Sequence, residues 1–221
     1  MTTTQTAITI IDYGLGNLHS IQRAFNHFGI EPTISNNPEL ISTSDSIVLP
    51  GVGAFGDGMS RLREKNLISV IQNFSKSGKP ILGICLGMQL LLSESEEYGL
   101  HQGLDIIPGR VVRFPDPTNN QYKIPNIGWC KIEMPSTLSS WKQTILKDNN
   151  SGDYMYFVHS YISITNSEKD ILGFTCYDRI LFSSVIQNGN IYGCQFHPEK
   201  SGTAGLKIIQ SFIDITQHQD I

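Results

Sequence analysis

The sequence predicts an α/β fold: a mostly parallel central sheet flanked by helices, with an antiparallel extension. Two observations carry the prediction. Through the first half, short aliphatic runs alternate with segments of helical period across loops of a few residues, and strands joined by helical crossovers pair in parallel. From about residue 103 the helical period gives way to short strands and turns, until one last amphipathic segment closes the chain. At 221 residues the chain most simply forms one domain, 1–221, large enough for a sizeable core.

Taken in order, "AITIID" (7–12) reads as a buried strand, followed by the polar, glycine-containing loop "YGLGN". The helix "LHSIQRAFNHF" (18–28) has Asn17 as a plausible N-cap and Gly29 as its stop. "EPTIS" and "DSIVLP" (45–50) are the next strands. "GDGMSRLREKN" and "LISVIQNFSKSG" form a helical pair ahead of the strand "PILGI". Beyond Cys85 the chain turns helical, with Met88, Leu91 and Leu92 at helix spacing. The stretch from "GLDIIPGRVVRF" to "YGCQFHPE" supplies the antiparallel extension, and "FPDPTNNQ" (114–121) reads as a surface loop. In "TAGLKIIQSFIDITQ" (203–217), Leu206, Ile209, Phe212 and Ile213 share one side of the final helix.

Composition excludes several classes. The net charge is −4 and the 16 Lys and Arg form no run longer than "RLR", which argues against nucleic acid as a partner. No stretch approaches the length of a membrane span, and the opening "MTTTQ" lacks the basic and apolar regions of a signal peptide. Cys85, Cys130, Cys176 and Cys194 form no C-x-x-C and have no histidine at zinc-finger spacing. They read as reduced thiols of a cytoplasmic protein, with no metal expected. "GLGNLH" has His19 where a dinucleotide fingerprint needs its third glycine, and "DGMSRLREK" lacks a P-loop ending. No cofactor is expected.

The chemistry-bearing stretch is "GICLG". A cysteine between two glycines at a strand-to-helix corner is the thiol version of a nucleophile elbow. Gly83 and Gly87 clear space where backbones approach closely, and the helix start favours a thiolate at Cys85. The amide of Leu86 can face a developing oxyanion. "QFHPE" supplies a base, His197, and an orienting carboxylate, Glu199, two residues on. In an extended chain these two point the same way, so the sequence predicts a Cys-His-Glu triad. "VLPGVGAF" (48–55) ends a strand at the carboxyl edge of the sheet, where open α/β sheets bind ligands. Gly51 and Gly53 give it the backbone freedom to turn a peptide near Val52 as a second oxyanion donor.

"PGVGAF", "GICLGMQLL", "YFVHSY" and "QFHPEKSG" together resemble the class I glutamine amidotransferase family, whose fold is flavodoxin-like. With "IDYGLGNLHSI" and "GW" at 128–129, the likeness is to the family's glutaminase subunits of imidazole glycerol phosphate synthase, and it spans nearly the whole chain. It implies that Cys85 attacks the side-chain amide of glutamine, with His197 and Glu199 completing the triad and Val52 and Leu86 the oxyanion hole. It implies a substrate site made by Gly51, Gly53, Gly87, Gln89, His159, Ser160 and Tyr161, with His159 structural rather than a second base. It further implies a heterodimer with a (β/α)8-barrel cyclase that receives the ammonia, across a face including Asn17, Trp129, Tyr156 and Lys200. One stretch departs from the family pattern. Where Pro-His-Met-Gly-Trp-Asn is usual, "PNIGWC" has Asn126 and Cys130, expected to flank the partner-facing region rather than the triad. That departure keeps open the alternative of a paralogous glutaminase serving another acceptor, such as a sugar-amidating synthase.

Overall fold

The computed structural model describes residues 6–117 and 122–218; the first five residues and the 118–121 part of the expected surface loop lie outside them. Its centre is a set of five mutually parallel strands in the order β2 (Thr33–Ser35), β1 (Ile8–Ile11), β3 (Ser46–Leu49), β4 (Ile81–Ile84) and β13 (Ile191–Cys194). Strands β1, β3 and β4 are buried along their whole length, as expected when helices cover both faces of a parallel sheet.

The period of two decides which helices each face meets. Ile8, Ile10, Val48, Leu82 and Ile84 share a core with Ile21 and Phe25 of α1 (Leu18–Asn26) and with Ile208, Ile209 and Phe212 of α6 (Gly202–Gln217). Ile11, Ile47, Leu49 and Ile81 face the other way. They pack with Ile41 of α2 (Pro38–Thr43), Met59 and Leu62 of α3 (Phe55–Glu64), and Ile71 and Phe74 of α4 (Ile68–Lys76). Leu206, expected on the buried side of the last helix, is only partly buried.

The antiparallel extension begins beyond β13. There β12 (Ile180–Asn188), β10 (Tyr161–Thr165) and β7 (Ile107–Arg113) pair antiparallel, and β11 (Ile171–Tyr177) hydrogen-bonds to β12. A separate two-stranded ribbon, β8 (Asn126–Lys131) with β9 (Tyr154–His159), stands beside the sheet. Among the described residues no helix is long and apolar enough to cross a membrane.

Four local expectations are corrected. The helix after Cys85, α5, covers only Leu86–Leu90, and Leu92 already opens strand β5 (Leu92–Ser95). Its leucines therefore fill a core rather than one helical stripe, and a five-residue helix contributes little dipole. Helix α2 was not foreseen, although Asn37 before Pro38 is a legible start: its Oδ1 accepts from the backbone N–H groups of Glu39 and Leu40. Phe114 is not on the surface; it is buried against Phe182 and His159. Finally, "YGC", expected in the antiparallel extension, belongs to β13, which pairs in parallel with β4 as part of the central sheet and ends at Cys194.

Candidate active site

The ends of β3 and β4 meet at a point that tolerates almost no side chain. A Cβ on Gly87 would lie 1.8 Å from the carbonyl oxygen of Leu49, and one on Gly51 would lie 2.4 Å from the Tyr13 hydroxyl and 2.7 Å from the Leu86 Cβ. A Cβ on Gly83 would come within 2.8 Å of the Gly87 oxygen and the Met88 nitrogen. Those three glycines let two strand ends and a helix start touch. Gly51 and Gly87 sit behind the wall of the cleft described below.

Cys85 is held at this junction with φ +55° and ψ −110°, a strained conformation for a residue with a side chain. Its N–H is held by the Cys194 carbonyl at 2.7 Å. Tyr13, fully buried just beyond β1, donates its hydroxyl proton to the Pro50 carbonyl at 2.6 Å. Burial, reinforced by the charge of Cys85, raises the Tyr13 pKa, so the phenol stays a donor. It pins the segment that continues into half-exposed Val52 and into Gly53, whose φ of +98° favours glycine.

His197 approaches from the far side of β13. Its backbone N–H donates to Tyr156 O at 3.0 Å, and its carbonyl accepts from the Ser201 hydroxyl at 2.7 Å. Ser201 Oγ in turn accepts from the Tyr156 N–H at 2.9 Å. Glu199 does reach the imidazole, with 2.8 Å between Oε1 and Nδ1, and both side chains are almost wholly buried. The route differs from the extended one expected: the contact is made inside a 3-10 turn, Pro198–Lys200, which His197 caps. Burial by itself would lower the imidazole pKa, but Cys85 and Glu199 outweigh it and lift the value to about 9. Nε2, on the Cys85 side, has no hydrogen bond of normal geometry, a common looseness before substrate arrives.

Cys85 opens on a cleft of about 330 Å³ lined by Val52, Gly53, Leu86, Gln89, Glu97, Pro125, Val158, His159, Ser160 and Tyr161. The structure thus gathers most of the expected substrate residues around the thiol. Gln89 Nε2 donates to Tyr161 O at 3.1 Å. His159 is buried and neutral: burial pushes its pKa down to about 4, against a backbone hydrogen bond that raises it and a nearby His197 that lowers it further. Its Nδ1–H donates to Tyr161 O at 2.9 Å, which leaves Nε2 to accept from Asn126 Nδ2 at 3.2 Å.

Asn126 and Cys130 therefore do not lie on the exposed face of the ribbon. Alternation along β8 turns both inward, where the Cys130 thiol donates to Asn126 Oδ1 at 3.7 Å. The outward face of the ribbon carries Ile127 and Trp129, 60% and 54% exposed, and Tyr154, 52% exposed. Trp129 lies edge to face on Tyr156, its cross-strand neighbour, at 5.9 Å. Lys200 is exposed on the turn that β9 and α1 both pack against, and exposed Asn17 caps α1 through Ser20 N at 3.3 Å.

Sequence reasoning missed three residues here. Tyr13 lay inside a quoted motif, but its reach to Pro50 is tertiary. Glu97 lines the cleft and uses Oε2 to accept from Phe55 N at 2.6 Å, capping α3; burial raises its pKa against that hydrogen bond. Gln195, fully buried, stood unremarked two residues before His197. Among the described residues no group of three or more His, Cys, Asp or Glu could hold a metal ion.

Comparison with known proteins accords with this geometry. The family model described as Glutamine amidotransferase class-I matches residues 9–215. "Imidazole glycerol phosphate synthase subunit HisH 1" of Legionella pneumophila is 48% identical over 211 residues, covering 95% of this chain and 99% of its own. "Imidazole glycerol phosphate synthase subunit HisH" of Methanosarcina acetivorans is 48% identical over 210 residues, covering 94% and 98%. A crystal structure of a glutamine amidotransferase shares the fold with a TM-score of 0.71 at 16% identity, over 95% of this chain and 98% of that one. By sequence and by fold, this chain belongs to the class I glutamine amidotransferase family.

Proposed function

We propose that this chain is the glutaminase subunit of an imidazole glycerol phosphate synthase, releasing ammonia from glutamine for a cyclase subunit in histidine biosynthesis. The observation that carries the chemistry is the strained Cys85 beside a buried His197–Glu199 pair at the floor of a cleft sized for an amino acid. The relatives that bear the synthase-subunit name, at 48% identity over almost their whole length, support the assignment.

The Cys85 thiolate adds to the side-chain amide carbon of glutamine. The negative oxygen of the tetrahedral adduct is received by the Leu86 N–H and by a peptide turned inward near Val52. His197, protonated at neutral pH because its pKa is near 9, gives the Nε2 proton to the leaving nitrogen as the C–N bond breaks. Ammonia departs and a glutamyl thioester remains. The now neutral imidazole takes a proton from water, whose oxygen attacks the thioester, and glutamate leaves as Cys85 is restored. Glu199 holds Nδ1–H throughout and stabilises the charged ring.

In bulk water at neutral pH the ammonia would be protonated and lost as a nucleophile, so it needs a covered route. The outer face of the ribbon runs from Val158 on the cleft wall to exposed Trp129 and Tyr154. This is the face we assign to a (β/α)8-barrel cyclase, with Asn17, Tyr156 and Lys200 beside it. Because Asn126 and Cys130 point inward, their departure from the family pattern does not alter that face; Ile127, where the pattern has Met, does lie on it and keeps an apolar side chain there. The same reading makes the protein cytoplasmic, with no cofactor of its own.

The test is glutamate formation from glutamine by the purified chain, alone and with its cyclase plus the nucleotide ligand. Strong stimulation, abolished by Cys85→Ala, is the expected result. A demonstrably active cognate cyclase that gives no stimulation would overturn the histidine-pathway assignment.

A further inference from the structure

Gln195 has no backbone task that another residue could not perform: its N–H donates to Ser184 O at 2.9 Å like any strand residue. Its side chain is different, being fully buried between the thiol and the substrate wall. The orientation of two amides is forced in sequence. The Tyr161 carbonyl can only accept, so the nitrogen end of Gln89 must face it, at 3.1 Å. The second hydrogen on that nitrogen then needs another acceptor, and Gln195 Oε1 provides it at 3.0 Å. This leaves Gln195 Nε2 directed at Cys85 Sγ, 3.9 Å away. Both hydrogens of Gln89 are thereby committed inside the protein, and the atom it has left for a ligand in the cleft is its oxygen, an acceptor only.

We propose that Gln195 is a positioning residue for glutamine: it locks the Gln89 amide with its oxygen toward the cleft, so that the site selects the α-ammonium of an amino acid over a plain carboxamide. Without Gln195, the Tyr161 carbonyl is the one anchor left for the Gln89 amide, whose freed second N–H can swing into the cleft and repel an ammonium. Through the same side chain, the residue that reads the substrate is linked to the nucleophile. The inference rests on the glutaminase reading above.

The test uses the complex with the cyclase and two substrates, L-glutamine and 5-amino-5-oxopentanoate, which is glutamine without its amino group. The wild type is expected to favour L-glutamine in kcat/KM. Gln195→Met, which fills the space without polar atoms, is expected to lose roughly tenfold on L-glutamine, mainly through KM. Loss of the contact to Cys85 Sγ acts on both substrates alike, so the reading is the ratio: the preference for L-glutamine over the amine-free substrate should fall severalfold. In its preference for L-glutamine over the amine-free substrate, Gln89→Met with Gln195→Met should match Gln89→Met alone, because for that preference one acts through the other. Equal losses on both substrates would reduce Gln195 to a packing residue and overturn the proposal. If Gln195→Met does not fold, Gln195→Glu keeps the acceptor for Gln89 and should retain the preference, and its loss would overturn the proposal. A wild-type complex that turns over neither substrate defeats the glutaminase reading, and this inference with it.

Discussion

At the scale of single residues, two histidines 38 positions apart in the chain carry opposite perturbations. In His197 the neighbouring Cys85 and Glu199 overcome burial and lift the pKa from 6.5 to about 9, whereas in His159 burial lowers it from 6.5 to about 4. The folded state therefore binds the His197 proton more tightly than the unfolded chain does. Its contribution to stability is complete below pH 6.5 and is lost as pH rises through about 9. For His159 the folded state resists the proton, so stability falls as pH drops from 6.5 toward 4, by about 3 kcal/mol over that window. Thermal melts across pH should peak near pH 6.5, and His197→Gln should flatten the alkaline side alone; a flat profile in the wild type would contradict both assignments. Glutaminase activity should fall above about pH 9 as the general acid is lost. Glu199→Gln should lower kcat about 100- to 10,000-fold while leaving the fold intact.

At the scale of elements, the junction of β3, β4 and α5 is built on missing side chains. Gly87→Ala would force a Cβ to 1.8 Å from the Leu49 carbonyl, so the backbone must move. A loss of about 3 kcal/mol or more is expected in urea unfolding, with activity abolished because Cys85 shifts with it. Tyr13→Phe is milder. It leaves the Pro50 carbonyl buried without its 2.6 Å partner, at a cost of about 1–3 kcal/mol. It should also depress kcat by freeing the segment that carries Val52. A Tyr13→Phe enzyme with unchanged stability and rate would show that Pro50 finds another donor.

At the scale of the whole molecule, the catalytic cleft and the exposed aromatic face lie on one ribbon, β8 with β9. Its inner side bears Asn126 and His159, its outer side Trp129 and Tyr156. A partner docked on the outer side can thus press on the wall of the cleft. Trp129→Ala should weaken cyclase binding by about 2 kcal/mol, roughly thirtyfold in Kd, measured by titration calorimetry. Undiminished affinity would place the contact elsewhere.

The alternation of aliphatic runs with helical period, the glycines around Cys85 and the spacing of His197 and Glu199 were enough by themselves to determine the parallel sheet, the corner and a carboxylate within reach of an imidazole. These features follow from steric rules acting over a few residues. What the tertiary structure decided was everything that depends on residues far apart in the chain. Tyr13 anchors Pro50 across 37 positions, Gln195 reaches Gln89 across 106, and Glu97 caps a helix 42 residues earlier. The inward turn of Asn126 and Cys130 was also hidden, because strand alternation says which residues share a face but not which face meets the core. That choice belongs to packing: His159 and Phe114 offered buried partners on one side of the ribbon, and the aromatic residues were left on the other.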